Sequence, residues 1–202
     1  MNKAVRLSVV TPCFNEEQSL SFFLSDLRSS LDHMGVDYEV GVVDDGSTDS
    51  SWDVITNTDW PQLCGIRLLS NRGHQVALDA GLRTAKGEFI VTMDSDGQHP
   101  PTVVTQLLDV AVSRAVEVVY AMRADRSDDG WAKRQSARAY YRLIRILTGV
   151  PITDSTADFR LMSRRVVNVL NEIPDQKVFR LLLPYLGFSS ETVEFRAEPR
   201  KH

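Results

Sequence analysis

Three oxygen-bearing side chains, Asp94, Asp96 and Gln98, alternate along a stretch that reads Glu-Phe-Ile-Val-Thr-Met-Asp-Ser-Asp-Gly-Gln-His-Pro-Pro from Glu88 to Pro101. In a locally extended segment every second residue faces the same way, so the three could converge on one point. An all-oxygen donor set suits a hard divalent cation, Mg²⁺ or Mn²⁺, which takes few carboxylates and completes its shell with water and phosphate oxygens. The plain alternative is a polar turn in which Asp94 caps the next helix. Placement favours the first reading. Phe89–Met93 is a short apolar, β-rich run that predicts a buried strand. Gly97 permits a tight turn after it, and Pro100-Pro101 suit the opening of a helix. Carboxylates at the end of a strand in an α/β chain stand where such sheets bind ligands.

The elements that must position this stretch are legible on both sides of it. Strands are predicted at Leu7–Thr11, Tyr38–Val43, Ile66–Leu69, Phe89–Met93 and Glu117–Ala121. Helices are predicted from the Asn15-Glu16-Glu17 cap to Met34, and over Ser50–Thr56, Gln75–Thr84 and Thr102–Ser113. This alternation predicts an α/β fold, a Rossmann-like, mainly parallel sheet flanked by helices. Beyond Ala121 the pattern changes. Arg123–Gly130 is polar, and Trp131–Leu147 predicts one helix with Arg134, Arg138, Arg142 and Arg145 on a shared face. A short segment, Ala157–Met162, leads to a helix at Arg164–Asn171, an apolar piece at Val178–Leu186 and a last strand at Thr192–Arg196.

Bulk properties narrow the class. The 202 residues are 43% hydrophobic and 25% charged, enough for one domain with a sizeable core and with no linker to divide it. A net charge of −4 argues against general nucleic-acid binding. Cys13 and Cys64 lack metal-type spacing and read as reduced thiols of a cytosolic domain. No window reaches the ~20 apolar residues of a membrane-spanning helix, and the first strand is too short for a signal-peptide core.

Other chemistry-bearing residues also fall after predicted strands. Pro12-Cys13-Phe14-Asn15-Glu16 follow the first, and Asp44-Asp45 follow the second. Two acids after a buried strand suit hydrogen bonding to a base or ribose, although either can instead cap the next helix, as can Asp49. No Gly-x-Gly-x-x-Gly follows a strand, and no Gly-x-x-x-x-Gly-Lys-Ser/Thr is present. Dinucleotide oxidoreductases and P-loop NTPases are thereby disfavoured. Phosphates would have to be neutralised by a metal and by arginines.

Four ordered motifs resemble the family 2 glycosyltransferases: Val9–Glu17, Val42–Asp49, Asn71–His74 and Met93–Pro101. Within that family the chain is most similar to the polyprenyl-phosphate sugar transferases of the dolichol-phosphate mannose synthase type, whose later motif resembles Asp158–Arg164. The resemblance implies a GT-A fold. It implies a nucleoside pocket lined by Pro12, Phe14 and Glu16, with Asp44 on base or ribose and a metal–diphosphate site at Asp94, Asp96 and Gln98. Arg123 and Arg134 match arginines near the phosphates. Relatives often carry Leu where this chain has Gly97, a change that removes no ligand. The chain stops at Arg200-Lys201-His202, where relatives begin a further Arg-containing motif and continue into membrane helices. A truncated chain is the expectation, with Arg200 a diphosphate ligand.

The implied reaction moves a sugar, with inversion, from a UDP- or GDP-linked donor to an undecaprenyl or dolichyl phosphate. The expected location is the cytoplasm, at the cytoplasmic face of the membrane. Transfer to a saccharide hydroxyl and a non-catalytic nucleotide-binding domain are the alternatives. A hydroxyl acceptor needs a base, whereas a phosphate monoester, with a second pKa of about 6, arrives largely ionised. Asp158 and Asp96 are the candidate catalytic residues, Asp158 as base or organiser, against the alternative that it simply pairs with Arg160. Asp154 is a weaker candidate, and His74 and His99 read as loop hydrogen-bonders. The Trp131–Leu147 helix is either a solvated basic face or a contact with lipid headgroups.

Overall fold

The computed structural model describes residues 6–124, 158–174 and 178–196. The predicted helix at Trp131–Leu147, with Arg134, lies outside the described residues, as do Asp154 and Arg200. Seven strands form one sheet: β1 (Leu7–Cys13), β2 (Tyr38–Asp44), β3 (Leu63–Arg67), β4 (Phe89–Thr92), β5 (Val118–Arg123), β6 (Arg160–Ser163) and β7 (Ser190–Phe195). Their order is β3-β2-β1-β4-β6-β5-β7. All neighbours are parallel except β6, which runs antiparallel to both β4 and β5. The sheet is mainly parallel, as expected, with β6 inverted in it. The segment around Ala157–Met162 supplies the inverted strand, wedged between two strands that precede it in sequence.

The period-2 alternation of the strands builds two cores. Val9, Val91, Val119 and Leu161 point to one face, covered by α1 (Leu20–Asp32), α2 (Ser51–Asn57) and α4 (Val103–Arg114). Val10, Ile90, Val118 and Met162 point to the other, covered by α3 (His74–Thr84), α5 (Arg164–Glu172) and α6 (Phe179–Leu186). The apolar spacing of α1 places Leu20, Phe23, Leu24, Leu27 and Leu31 in the first core. Gly81 lets α3 lie close on the sheet, since a Cβ there would come within 2.3 Å of Val10 Cγ1.

Two boundaries differ from the sequence reading. The third strand is Leu63–Arg67 rather than Ile66–Leu69, because pairing with β2 sets its register, Leu63 opposite Val40 and Arg67 opposite Asp44. Leu69 is left fully exposed. Asn15 does not cap α1. It adopts a left-handed φ of 54°, and its Oδ1 accepts from the Thr48 N–H at 2.9 Å, tying the β1–α1 loop to the β2–α2 loop. The same two loops exchange Glu16 N–H to Ser51 Oγ at 2.8 Å and Ser50 N–H to Glu17 Oε2 at 2.9 Å. Asp49 does cap α2, accepting from the Ser51 N–H at 3.0 Å.

Candidate active site

The carboxyl ends of β1, β2 and β4 and the segment entering β6 surround an open cavity of about 480 Å³. Pro12, Cys13, Phe14 and Glu16 form one wall, and Asp45, Asn71, Gly73 and His74 another. Asp94, Ser95, Asp96 and Asp158 close the acidic side. Phe14 is 41% exposed, an aromatic face with no apolar cover. Pro12, Phe14, Glu16, Asp94, Asp96 and Asp158 thus meet at one place, although they span nearly the whole chain.

The two acids at the end of β2, Asp44 and Asp45, divide as strand geometry requires, on opposite sides of the backbone. Asp44 has no exposed surface; its Oδ1 accepts from the Ser47 N–H at 2.9 Å and its Oδ2 lies 3.2 Å from Arg67 Nε. Asp44 is not among the residues that line the cavity. Asp45 lines the cavity instead, and both its oxygens accept backbone N–H groups, of Arg72 and Gly73, each at 2.8 Å. Asp45 therefore fixes the loop that delivers His74.

The turn after β4 forms as the sequence suggests. Gly97 takes a φ of 75°, and the Gln98 N–H donates to Asp96 Oδ1 at 3.0 Å. Gln98 contributes its backbone to the turn, and of the three expected oxygen side chains Asp94 and Asp96 line the cavity. His99 turns inward. Its Nδ1 accepts from the Asp94 N–H at 3.0 Å, which places its proton on Nε2, and its ring stacks on Phe159 with centroids 4.8 Å apart. Burial pushes its pKa down, against the pull of Asp94 and Asp96.

Among the described residues no group of three or more His, Cys, Asp or Glu side chains is preformed to hold a metal. Mg²⁺ and Mn²⁺ do not need one, since substrate phosphates and water complete their shells. Asp94 Oδ1 is buried without a hydrogen-bond partner, and burial raises the Asp94 pKa above the ordinary carboxylate range. A carboxylate oxygen in that condition, with no donor on it, can take a metal ligand bond. The residues present fit a divalent metal on Asp94 and Asp96.

His74 links the two carboxylates of the site. Its Nε2 lies 3.2 Å from Asp158 Oδ2 and 3.6 Å from Asp94 Oδ1, close approaches without the alignment of a hydrogen bond. Burial would lower its pKa, but Asp158 and Asp94 outweigh that and hold the imidazole above its usual value. Asp158 also receives Arg160 Nη2 on Oδ1 and Gln75 Nε2 on Oδ2 at 3.3 Å. Its backbone carbonyl accepts from Thr92 Oγ1 at 2.6 Å, pinning it to β4. Burial alone would raise the Asp158 pKa; His74 and Arg160 reverse that and hold it below the ordinary carboxylate range. The pairing with Arg160 and the place at the cavity, weighed as alternatives in the sequence, hold together. Gln75 is the site residue that sequence reasoning left aside, and its place beside the Asn71–His74 motif is its signal. Asp45 and His74 read from the sequence as hydrogen-bonders, and the structure adds their partners. Arg123, at the end of β5, is exposed and outside the cavity wall.

A mixed seven-stranded sheet between two helical layers, with an acidic cavity at its carboxyl edge, defines a GT-A glycosyltransferase fold. Residues 8–170 match the family model described as "Glycosyl transferase family 2", and the chain belongs to that family. It is 32% identical over 198 residues to the bactoprenol glucosyl transferase of Shigella phage SfV, covering 96% of this chain and 64% of that one. It is 32% identical over 193 residues to the undecaprenyl-phosphate 4-deoxy-4-formamido-L-arabinose transferase of Aeromonas hydrophila, covering 93% and 58%. The chain therefore spans about three-fifths of the length of these relatives. Among solved structures, glucosyl-3-phosphoglycerate synthase from Mycobacterium tuberculosis, in complex with Mn²⁺, UDP and phosphoglyceric acid, superposes with a TM-score of 0.72 at 18% identity, over 98% of this chain and 71% of that one. A mannosyltransferase from Pyrobaculum calidifontis, in complex with GDP-Man and Mn²⁺, superposes at 0.62 with 19% identity, over 96% and 56%. Among the described residues no helix is long and apolar enough to cross a membrane.

Proposed function

We propose that this chain is the catalytic domain of an inverting glycosyltransferase that moves a sugar from a UDP- or GDP-linked donor to a polyprenyl phosphate. The observation that carries the reading is the pairing of a cation-seeking carboxylate, Asp94, with an already cation-paired one, Asp158, across the same cavity. The first suits a diphosphate that arrives with its metal. The second is a poor proton acceptor at neutral pH and suits an acceptor that is already ionised.

In the transfer, an acceptor phosphate oxygen forms a bond to the anomeric carbon from the face opposite the donor's diphosphate. The bond from that carbon to the β-phosphate oxygen breaks, and its electron pair leaves with the nucleoside diphosphate. Asp94 and Asp96 would hold the divalent ion, Mg²⁺ or Mn²⁺, which when bound offsets the charge that develops on the diphosphate. Pro12 and Phe14 offer an apolar and aromatic wall to the nucleoside, and Glu16 a carboxylate beside it. Asp158, ionised and oriented by Arg160, His74 and Gln75, organises the reacting centre. Arg123 remains a candidate phosphate contact, as do Arg134 and Arg200 outside the described residues. A lipid acceptor would bring the reaction to a membrane surface, with the cytoplasmic face as the proposed one.

The test is a transfer assay with radiolabelled UDP- and GDP-sugars, undecaprenyl phosphate in detergent, and Mn²⁺ or excess chelator. Labelled lipid formed only with metal is the expected product. Transfer to a free saccharide with none to the lipid phosphate would mean a hydroxyl acceptor. Nucleotide binding without any transfer would mean a non-catalytic domain.

A further inference from the structure

Gln75 stands next to His74 in the first turn of α3 and connects two segments far from it in sequence. Its Nε2 donates to Asp158 Oδ2 at 3.3 Å, and its Oε1 accepts from the Phe179 N–H at 3.2 Å. The orientation of the amide follows from chemistry. A backbone N–H only donates, so the carbonyl oxygen faces Phe179 and the NH₂ faces the carboxylate. Phe179 is the first residue of α6, where amides lack partners within the helix, and the residue before it, Val178, supplies no side-chain cap. Gln75 caps α6 from another helix.

The two ends of this bridge have different surroundings. Phe179 and Leu183 are buried in the same core that Leu78 and Leu82 of α3 line. Asp158 faces the cavity, whereas Gln75 is not part of its wall. Gln75 therefore acts on a ligand only through Asp158. Arg160 stands two residues from Asp158 at the start of β6 and fixes the carboxylate only relative to that strand. His74 approaches the same oxygen from α3, and Gln75 is the donor that also ties it to α6.

We propose that Gln75 is a positioning residue for the transfer reaction, locking the Asp158 carboxylate to the first turn of α6 so that the reacting centre and that helix keep one arrangement. The inference rests on the reading of Asp158 as the organiser of the reacting centre. A carboxylate held by one strong partner can pivot about that contact. A second donor from a different element removes the pivot, and a displacement of about 1 Å at a reacting centre costs on the order of 100-fold in rate.

Two substitutions in the full chain separate positioning from mere stability. Gln75→Glu keeps an oxygen for the Phe179 N–H but sets a like charge against Asp158; Gln75→Leu removes both bonds. For Gln75→Glu, deuterium exchange at the α6 amides and Mn²⁺-linked nucleoside diphosphate affinity should stay within about twofold of wild type, while kcat falls on the order of 100-fold. For Gln75→Leu, exchange at α6 should speed up about tenfold, with a comparable loss of kcat. Wild-type kcat in Gln75→Glu overturns the proposal. So does a kcat loss confined to Gln75→Leu, because capping α6 would then be the whole role. If wild type transfers no sugar, the functional reading fails and the exchange measurement still decides the tether. Asp158→Ala should then speed exchange at Phe179–Leu183, and unchanged exchange overturns the proposal.

Discussion

Arg160 donates through Nη2 to Asp158 Oδ1 from a side chain that is 1% exposed, while its Nε and Nη1 find no hydrogen-bond partner. A guanidinium buried with only part of its donor set satisfied is costly, and its pairing with Asp158 is what offsets that cost. The buried guanidinium and the cavity-facing carboxylate form one device, and the variants below take it apart.

Removing one member of a buried pair leaves the other uncompensated. Arg160→Met should destabilise the domain by about 3 kcal/mol, and Arg160→Met/Asp158→Asn should recover part of that loss. Denaturant unfolding of the two variants measures it. A single-variant cost below about 1 kcal/mol would place the pair among those that contribute little.

Asp158→Asn tests the acceptor. With an ionised lipid phosphate the rate should fall while the pH–rate profile keeps its shape. With a hydroxyl acceptor the same substitution removes an essential base and flattens the acidic limb.

Asp94 Oδ1 makes no hydrogen bond in the metal-free protein, with His74 Nε2 3.6 Å away. In chelator, Asp94→Asn should melt at or above the wild-type temperature, because desolvation disfavours the charged carboxylate. The stabilisation that Mn²⁺ and a nucleoside diphosphate confer together should vanish in Asp94→Asn and in Asp96→Ala. Thermal shift with and without both ligands reads the two effects. Retention of metal-linked stabilisation in both variants would sink the assignment.

The His74–Asp158 contact makes stability depend on pH in a definite direction. The folded pKa of His74 lies above 6.5, so its contribution is full below that value and lost as pH rises through the folded pKa. The folded pKa of Asp158 lies below 3.8, so its contribution is full above that value and lost as pH falls through the folded pKa. Both are present together between 3.8 and 6.5. In chelator, wild type should lose melting temperature as pH rises above 6.5, and His74→Gln should abolish that decline. Parallel curves for the two proteins would exclude His74 as its source.

Cys13 and Cys64 should differ sharply toward alkylating agents. Burial, with help from Asp44 and Glu16, pushes the Cys13 thiol up to about 12, whereas Cys64 is exposed. Iodoacetamide at about pH 8 should label Cys64 alone in the native protein and both residues after unfolding, read by peptide mass.

Periodicity and punctuation in the chain determined most of the scaffold. Apolar runs of strand length, helical spacing in α1, and the acids that follow Val43 and Met93 predicted the alternating layers and put Pro12, Asp94 and Asp96 at one edge. Those signals are local, each set by side-chain period or turn chemistry within a few residues. Pairing decided the rest. The register of β3 was fixed by β2 rather than by its own hydrophobicity, and the inversion of β6 between β4 and β5 follows from tertiary packing alone. Strand direction at a residue-by-residue level sent Asp44 inward and Asp45 to the cavity, a choice that two consecutive identical letters cannot encode. The bonds that bring His74 and Gln75 onto Asp158 cross more than 80 residues of chain. They exist only because α3 docks on the sheet beside the start of β6, where burial and opposite charge then set the protonation of each group.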